Sequence, residues 1–193
     1  MKKIILASQS PRRKQLLEWA EIPFDIIIKD TDEAYPPDLP LNDIAPYIAT
    51  KKLNEVCRSL PESWSVNYSA ILAADTIVVL NQQVIGKPEN RDHAICILQQ
   101  LSGKEHQVIT GISILEDVGT RYEFFNKTQV RFHELSLDQI EFYVDKYKPY
   151  DKAGAYAIQE WIGVIGIESI NGDFYNVMGL PVSQVAKILL RER

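Results

Sequence analysis

Lys2-Lys3-Ile4-Ile5-Leu6-Ala7, then Ser8-Gln9-Ser10-Pro11-Arg12-Arg13, then Lys14-Gln15-Leu16-Leu17-Glu18-Trp19-Ala20 carry the chain from a short buried strand into an amphipathic helix. Ser10 suits the N-cap and Pro11 the first helical position. Arg12 and Arg13 then fall in the first turn, where the helix dipole already disfavours positive charge. Backbone N–H groups, the positive dipole end and two forked donors together suit a bound anion, above all a phosphate. A capped surface helix with two solvated arginines is the competing reading, because so short a pattern recurs by chance.

Working outward, strand and helix signals keep alternating. Phe24–Ile28 reads as a second strand, followed by an acidic, proline-rich loop over Asp30–Pro40. Leu41–Leu60 has helical periodicity through Ile44, Ile48 and Val56, although Pro46 predicts an irregular or delayed first turn. Ser69–Leu80, rich in Ile and Val, reads as a central strand. Asn81-Gln82-Gln83 turns it back into Val84–Ile85 as a hairpin. Arg91–Leu101 is a helix that Ser102-Gly103 stops.

Strand patterns over Gln107–Leu115 and Glu123–Phe132 flank the turn Glu116–Thr120. Ser136 and Gln139 make a capping box for a helix over Leu137–Asp145. Lys148–Gln159 reads as a loop, Val164–Ile170 as a strand, Asn171-Gly172-Asp173 as a hairpin turn and Pro181–Leu190 as the closing helix. The class is α/β with a mixed sheet, since hairpins give antiparallel pairs and strand–helix–strand passages permit parallel ones.

The 193 residues predict one domain over 1–193, with room for two lobes. A net charge of −5 argues against nucleic acid as a partner, which needs a broad basic face. A local basic pocket for a small anion remains compatible with it. Cys57 and Cys96 lie in helix-like segments without metal spacing and read as reduced thiols, the usage of a cytoplasmic protein. The apolar run at Met1–Ala7 is too short for a signal peptide, and no stretch reaches membrane-spanning length.

Asp75 stands out chemically. Its neighbours in Ile71-Leu72-Ala73-Ala74-Asp75-Thr76-Ile77-Val78-Val79 are apolar except Thr76. An ionised carboxylate in a buried strand costs several kcal/mol unless paired, hydrogen-bonded or metal-bound. A metal ligand, a general base and a structural aspartate bonded to backbone all answer that requirement. Glu33, beside Asp32, offers hard oxygen suited to magnesium or manganese, though most acidic loop residues are merely solvated. Lys52 falls on the long helix. Lys87 is held between Gly86 and Pro88, which restrict its backbone.

Asp151-Lys152-Ala153-Gly154-Ala155-Tyr156 mixes small residues, charge and an aromatic, so backbone can approach a ligand closely there. A tight, well-packed helix–strand junction is the alternative. Gln159 could read a base edge with its donors and acceptor. His93, His106 and His133 lack zinc spacing, and the motifs of serine hydrolases and phosphate-binding Gly-x-x-x-x-Gly-Lys loops are absent. Basic residues with carboxylates remain: metal-assisted phosphate chemistry.

Together these residues resemble the Maf family of nucleoside triphosphate pyrophosphatases. The resemblance rests on Ser8-x-Ser10-Pro11-Arg12-Arg13, Glu33, Ala49-x-x-Lys52, Ala74-Asp75-Thr76, Gly86-Lys87-Pro88, Asp151-Lys152-Ala153-Gly154-Ala155-Tyr156-x-Ile158-Gln159 and Gly172-Asp173-x-x-Asn176-Val177-x-Gly179-Leu180-Pro181. It implies a two-lobed mixed sheet flanked by helices, related to inosine triphosphate pyrophosphatases, with the active site in the inter-lobe cleft. It implies hydrolysis of dTTP and UTP, with modified pyrimidine triphosphates as further candidates, to the monophosphate and pyrophosphate. A divalent cation, Mg2+ or Mn2+, is the implied cofactor, and a homodimer is plausible on the same ground.

In site terms the resemblance implies Asp75 as proton acceptor; the residues and the resemblance together assign Glu33 and Asp75 to metal and Ser10, Arg12, Arg13, Lys52, Thr76, Lys87, Lys152 and Gln159 to substrate. Arg12, Thr76 and Gln159 match positions tied to substrate choice. Ala157 and Glu160 stand where the family commonly has glycine, which predicts a tighter and more acidic wall. Two other functions compete: a nucleotide-binding regulator of septum formation and cell division, and a pyrophosphatase for inosine or xanthosine triphosphate.

Overall fold

Strand and helix alternate from the outset, as the periodicity predicts. The computed structural model of the chain describes residues 2–191. Met1, Glu192 and Arg193, part of the expected domain over 1–193, lie outside them. The elements are β1 (Lys3–Leu6), α1 (Pro11–Trp19), β2 (Phe24–Ile26), α2 (Leu41–Ser59), α3 (Trp64–Asn67), β3 (Tyr68–Leu80), β4 (Gln83–Ile85) and α4 (Arg91–Leu101). They continue as β5 (Glu105–Glu116), β6 (Arg121–Phe132), α5 (Leu137–Tyr147), α6 (Trp161–Gly166), β7 (Ile167–Asn171), α7 (Phe174–Met178) and α8 (Val182–Leu189). The acidic, proline-rich segment before α2 carries neither helix nor strand, as expected.

The strands form one seven-stranded mixed sheet in the order β2-β1-β3-β5-β6-β7, with β4 paired to β3. β1 is parallel to both β2 and β3, whereas β4 on β3 and β7 on β6 are antiparallel. Asn81 and Gln82, with φ of 50° and 65°, make the tight two-residue turn between β3 and β4. The capping box at Ser136 and Gln139 is present as expected. Packing divides the chain into two compact units: Met1–Asp75 with Thr110–Asn126 and Gly179–Arg193, and Thr76–Ile109 with Lys127–Met178.

In the first unit, Ile5 of β1 and Ile71 and Ala73 of β3 pack on Leu53 and Val56 of α2, with Trp64 and Tyr68 at the margin. Pro46 does not delay α2, which is continuous from Leu41. A Cβ on Gly111 of β5 would lie 2.0 Å from the Pro46 nitrogen and 2.1 Å from the Ala45 carbonyl carbon. Strand and helix backbones therefore touch at this point. Proline brings no N–H there, so the contact buries no donor.

In the second unit, the ring of His106 meets Tyr156 Oη at 2.8 Å, and Phe132 packs edge-on against both rings. His106 is 2% exposed, and burial pushes its pKa down to about 4. The Tyr156 hydroxyl is pushed up by the same desolvation.

Two local expectations are corrected. The apolar run expected as a strand over Val164–Ile170 instead begins inside α6, and β7 starts at Ile167. Gly163 explains the change: a Cβ there would lie 1.7 Å from the Ile158 carbonyl oxygen, so the helix turns in a space only glycine fits. Asn171-Gly172-Asp173 is not a hairpin turn, because it closes β7 and leads into α7. Asp173 Oδ1 accepts the Tyr175 N–H at 2.8 Å and Thr128 Oγ1 donates to the Asp173 carbonyl at 2.9 Å. Neither α3 nor α7, of four and five residues, has a periodic signal long enough to read.

Gly111→Ala is expected to destabilise the fold by about 3 kcal/mol, since neither contacting backbone can yield locally. Urea unfolding reads this directly, and an unchanged midpoint would contradict the close contact. His106 adds a pH dependence. The unfolded chain takes up its proton near pH 6.5, whereas the folded form resists it until pH about 4. Stability is thus full above about pH 6.5 and falls by up to about 3 kcal/mol as pH drops toward 4. His106→Gln should flatten that slope in unfolding curves taken across the range.

Candidate active site

The first unit resolves the cost of Asp75. On β3 its residue is 9% exposed, among fully buried neighbours such as Ala73 and Ala74. Lys52 lies on α2, one turn beyond the fully buried Ala49, which turns that helix face toward the sheet. Its ammonium donates to Asp75 Oδ1 at 2.6 Å and lies 2.6 Å from Glu33 Oε1. One cation thus joins two carboxylates, one from a buried strand and one from the acidic loop. Low local dielectric strengthens such a contact, and removing the ammonium would leave a buried carboxylate exposed to the full desolvation penalty.

Arg13 stands close to this group. Its residue is 8% exposed, with Nε donating to the Gly179 carbonyl at 2.8 Å and Nη1 to Ser8 Oγ at 3.0 Å. Burial pulls its pKa down to about 10, and attraction to Asp75 and Glu33 acts against that pull while Arg12 adds to it. Arg13 is therefore an anchored cation whose charge is felt by both carboxylates. Arg12 is half-buried on the same helical turn.

Ser10 holds the N-cap position with Pro11 following, but its side chain makes no capping bond. Ser8 acts there instead, its Oγ accepting the Ser10 N–H at 3.2 Å. Asp32 separates from Glu33. Its carboxylate accepts the Ala34 N–H at 2.9 Å and pairs with Lys51 at 3.4 Å, and these bonds hold it below the usual carboxylate range.

Two hard oxygen donors on one ammonium can do two things. They can hold a divalent cation, and the buried member can take a proton from water. Among the described residues, no group of three or more His, Cys, Asp and Glu gathers to cage a metal. Two carboxylate oxygens are the donor type that suits a magnesium-like ion. They do not fit a structural metal.

The second unit brings together two stretches that stood apart in sequence. The Gly154 N–H donates to the Gly86 carbonyl at 3.2 Å, docking the 153–155 turn beside Lys87. Gly154 has φ +70° and Ala155 φ +56°, and a Cβ on Gly154 would lie 2.9 Å from Val78 Cγ2. Glycine takes this conformation freely, whereas at Ala155 the surroundings must hold it. Thr76 is half-buried on β3, and Lys87 and Gln159 are exposed.

Lys152 is 7% exposed and forms ion pairs with Asp151 Oδ1 at 2.8 Å and Glu160 Oε1 at 3.6 Å. Glu160 is in turn fixed by Tyr143, whose hydroxyl donates to Glu160 Oε2 and accepts the Ala157 N–H at 3.1 Å. Sequence reading missed Tyr143, which sits on the apolar face of α5 like any core residue. Its only signal was a buried hydroxyl in need of a partner. Among the described residues, no helix is long and apolar enough to cross a membrane.

Comparisons with known proteins follow this geometry. The family model described as Maf-like protein matches residues 3–192. The chain is 46% identical to the dTTP/UTP pyrophosphatase of Parabacteroides distasonis, over 95% of this chain and 92% of that protein. Identity to the dTTP/UTP pyrophosphatase of Bacillus cereus strain G9842 is 42%, over 98% and 95%. Among solved structures, the Ham1 protein of Staphylococcus aureus aligns over 100% of both chains with a TM-score of 0.54 at 17% identity. A HAM1 protein from Coxiella burnetii aligns over 99% and 100% with a TM-score of 0.51 at 14% identity. Those two structures share the fold. With the family model covering nearly every residue and such relatives matching end to end, the chain belongs to the Maf-like protein family.

Proposed function

We propose that this chain is a nucleoside triphosphate pyrophosphatase that hydrolyses dTTP and UTP to the monophosphate and pyrophosphate. The observation that carries the reading is the Lys52 ammonium at 2.6 Å from both Asp75 and Glu33. A binding protein has no need of a carboxylate embedded in an apolar strand, whereas a hydrolase needs a proton acceptor shielded from bulk water. The names of the relatives in Parabacteroides distasonis and Bacillus cereus support the substrate assignment.

In this mechanism Asp75 accepts the proton of the water that attacks the α-phosphorus. The P–O bond to the β-phosphate breaks, and pyrophosphate leaves. Lys52 stabilises the ionised Asp75 and orients it. Arg13, held by Ser8 and Gly179, supplies fixed positive potential, and Arg12 and Ser10 are assigned contact with substrate. The Ser8-to-Arg13 turn is thus the phosphate-facing element of its unit.

Glu33 and Asp75 would hold the divalent cation, Mg2+ or Mn2+. Bound there, it would neutralise phosphate charge. Thr76, Lys87, Lys152 and Gln159 are assigned to substrate on the family likeness, with Lys87 and Lys152 as phosphate cations and Thr76 and Gln159 bearing on the base.

A pyrophosphate-release assay across dTTP, UTP and the purine triphosphates tests the assignment. Turnover with dTTP and UTP, lost on chelation and restored by Mg2+ or Mn2+, is expected. Purine preference, or binding without release, would overturn it. Asp75→Asn is expected to cut kcat by about 100-fold or more while the chain stays folded. Near-normal turnover in that variant would sink the role given to Asp75.

A further inference from the structure

We propose that Glu160 sets the affinity of this site for its polyphosphate, by holding Lys152 in a standing ion pair that the incoming anion must compete with. The inference rests on the assignment of Lys152 to phosphate. Its physical basis is the unequal footing of the two carboxylates around that ammonium. The Asp151 side chain is 58% exposed, the Glu160 side chain only 22%. Asp151 is the closer partner at 2.8 Å, but its exposed carboxylate can turn into water when a phosphate oxygen takes its place at the ammonium.

Glu160 cannot yield in the same way. The fully buried Tyr143 donates its hydroxyl to Glu160 Oε2, and the hydroxyl oxygen of Tyr143 is itself fixed by accepting the Ala157 N–H at 3.1 Å. The carboxylate charge is therefore built into the wall of the 151–160 segment, 3.6 Å from the Lys152 ammonium. The fixed Glu160 charge beside the ammonium opposes the approach of a triphosphate and favours release of pyrophosphate. Lys152, at 7% exposure, gains from this arrangement whenever no anion is bound, because a buried ammonium needs compensation. Glu160 does not touch the reacting atoms and acts through Lys152, as a positioning residue.

Glu160→Gln isolates the charge, because the amide oxygen can still accept from Tyr143. Glu160→Ala removes the acceptor as well. With full-length chains, titration of inorganic pyrophosphate by calorimetry is expected to show Glu160→Gln binding about threefold to tenfold tighter than wild type at low salt. The gap should shrink in about 0.5 M salt as the charges are screened. KM for dTTP should fall by a similar factor with kcat within about twofold, and the melting temperature should hold. Glu160→Ala should melt lower, reporting the lost Tyr143 anchor.

A purely structural Glu160 would move melting in the alanine variant and leave the glutamine variant's KM and salt dependence untouched. Equal or weaker pyrophosphate binding in Glu160→Gln overturns the inference, and so does an absence of binding in both proteins. Failure of the wild type to turn over dTTP or UTP would sink the proposed function alone, with the pyrophosphate titration still deciding the part of Glu160.

Discussion

Burying Asp75 in the interior strand of an apolar sheet is the constraint from which the first unit is organised. Hydrophobic burial wants that strand, while the carboxylate wants water, and only a cation delivered to the same point satisfies both. Lys52 supplies it from α2 at 2.6 Å. That delivery fixes how α2 sits on the sheet. The helix must lie close enough for a lysine stem to reach β3, and the backbone contact between Gly111 and the Ala45–Pro46 peptide achieves this closeness. Glycine on the strand and a helix nitrogen without a hydrogen are thus part of the same requirement as the ion pair.

The second unit solves a different problem. Its 153–155 turn has two left-handed residues in succession, Gly154, which takes that conformation freely, and Ala155, which does not. The turn persists because it is held on both sides, by the Gly154 bond to Gly86 and by the Tyr156 ring packed on His106 and Phe132. Lys152 and Glu160 flank that turn, so their separation is inherited from a rigid backbone rather than from two mobile side chains.

Much of this was legible in the sequence for a physical reason. Asp75 announced itself through the polarity of its neighbours, and Lys87 and Lys152 through the glycines and prolines around them. The strand-to-helix passage at Ser8–Arg13 followed from period and punctuation alone. What escaped depends on contacts distant in sequence. That Ser8 rather than Ser10 serves the start of α1, and that Gly179 takes the Arg13 fork, requires residues separated by 166 positions to meet. The start of the strand expected over Val164–Ile170 belongs here too: its first residues lie in α6, where the Ile158 carbonyl approaches Gly163 too closely for any side chain. Tyr143 was invisible because the hydrophobic face of a helix conceals a hydroxyl that points beyond it.

Lys52 and Lys152 share an electrostatic plan. Each ammonium is held by one largely buried carboxylate and one on an exposed segment: Asp75 at 12% with Glu33 at 46%, and Glu160 at 22% with Asp151 at 58%. The buried partner fixes where the ammonium stands and cannot be exchanged without leaving a desolvated charge. The exposed partner costs little to displace. A lysine so placed keeps its geometry while half of its coordination can be traded for another anion. This is the property a phosphate site needs if it is to be ordered before substrate arrives and able to let product go. Tight binding alone would favour lysines with no carboxylate near them. On the proposed reading, two carboxylates at each lysine suit turnover rather than retention.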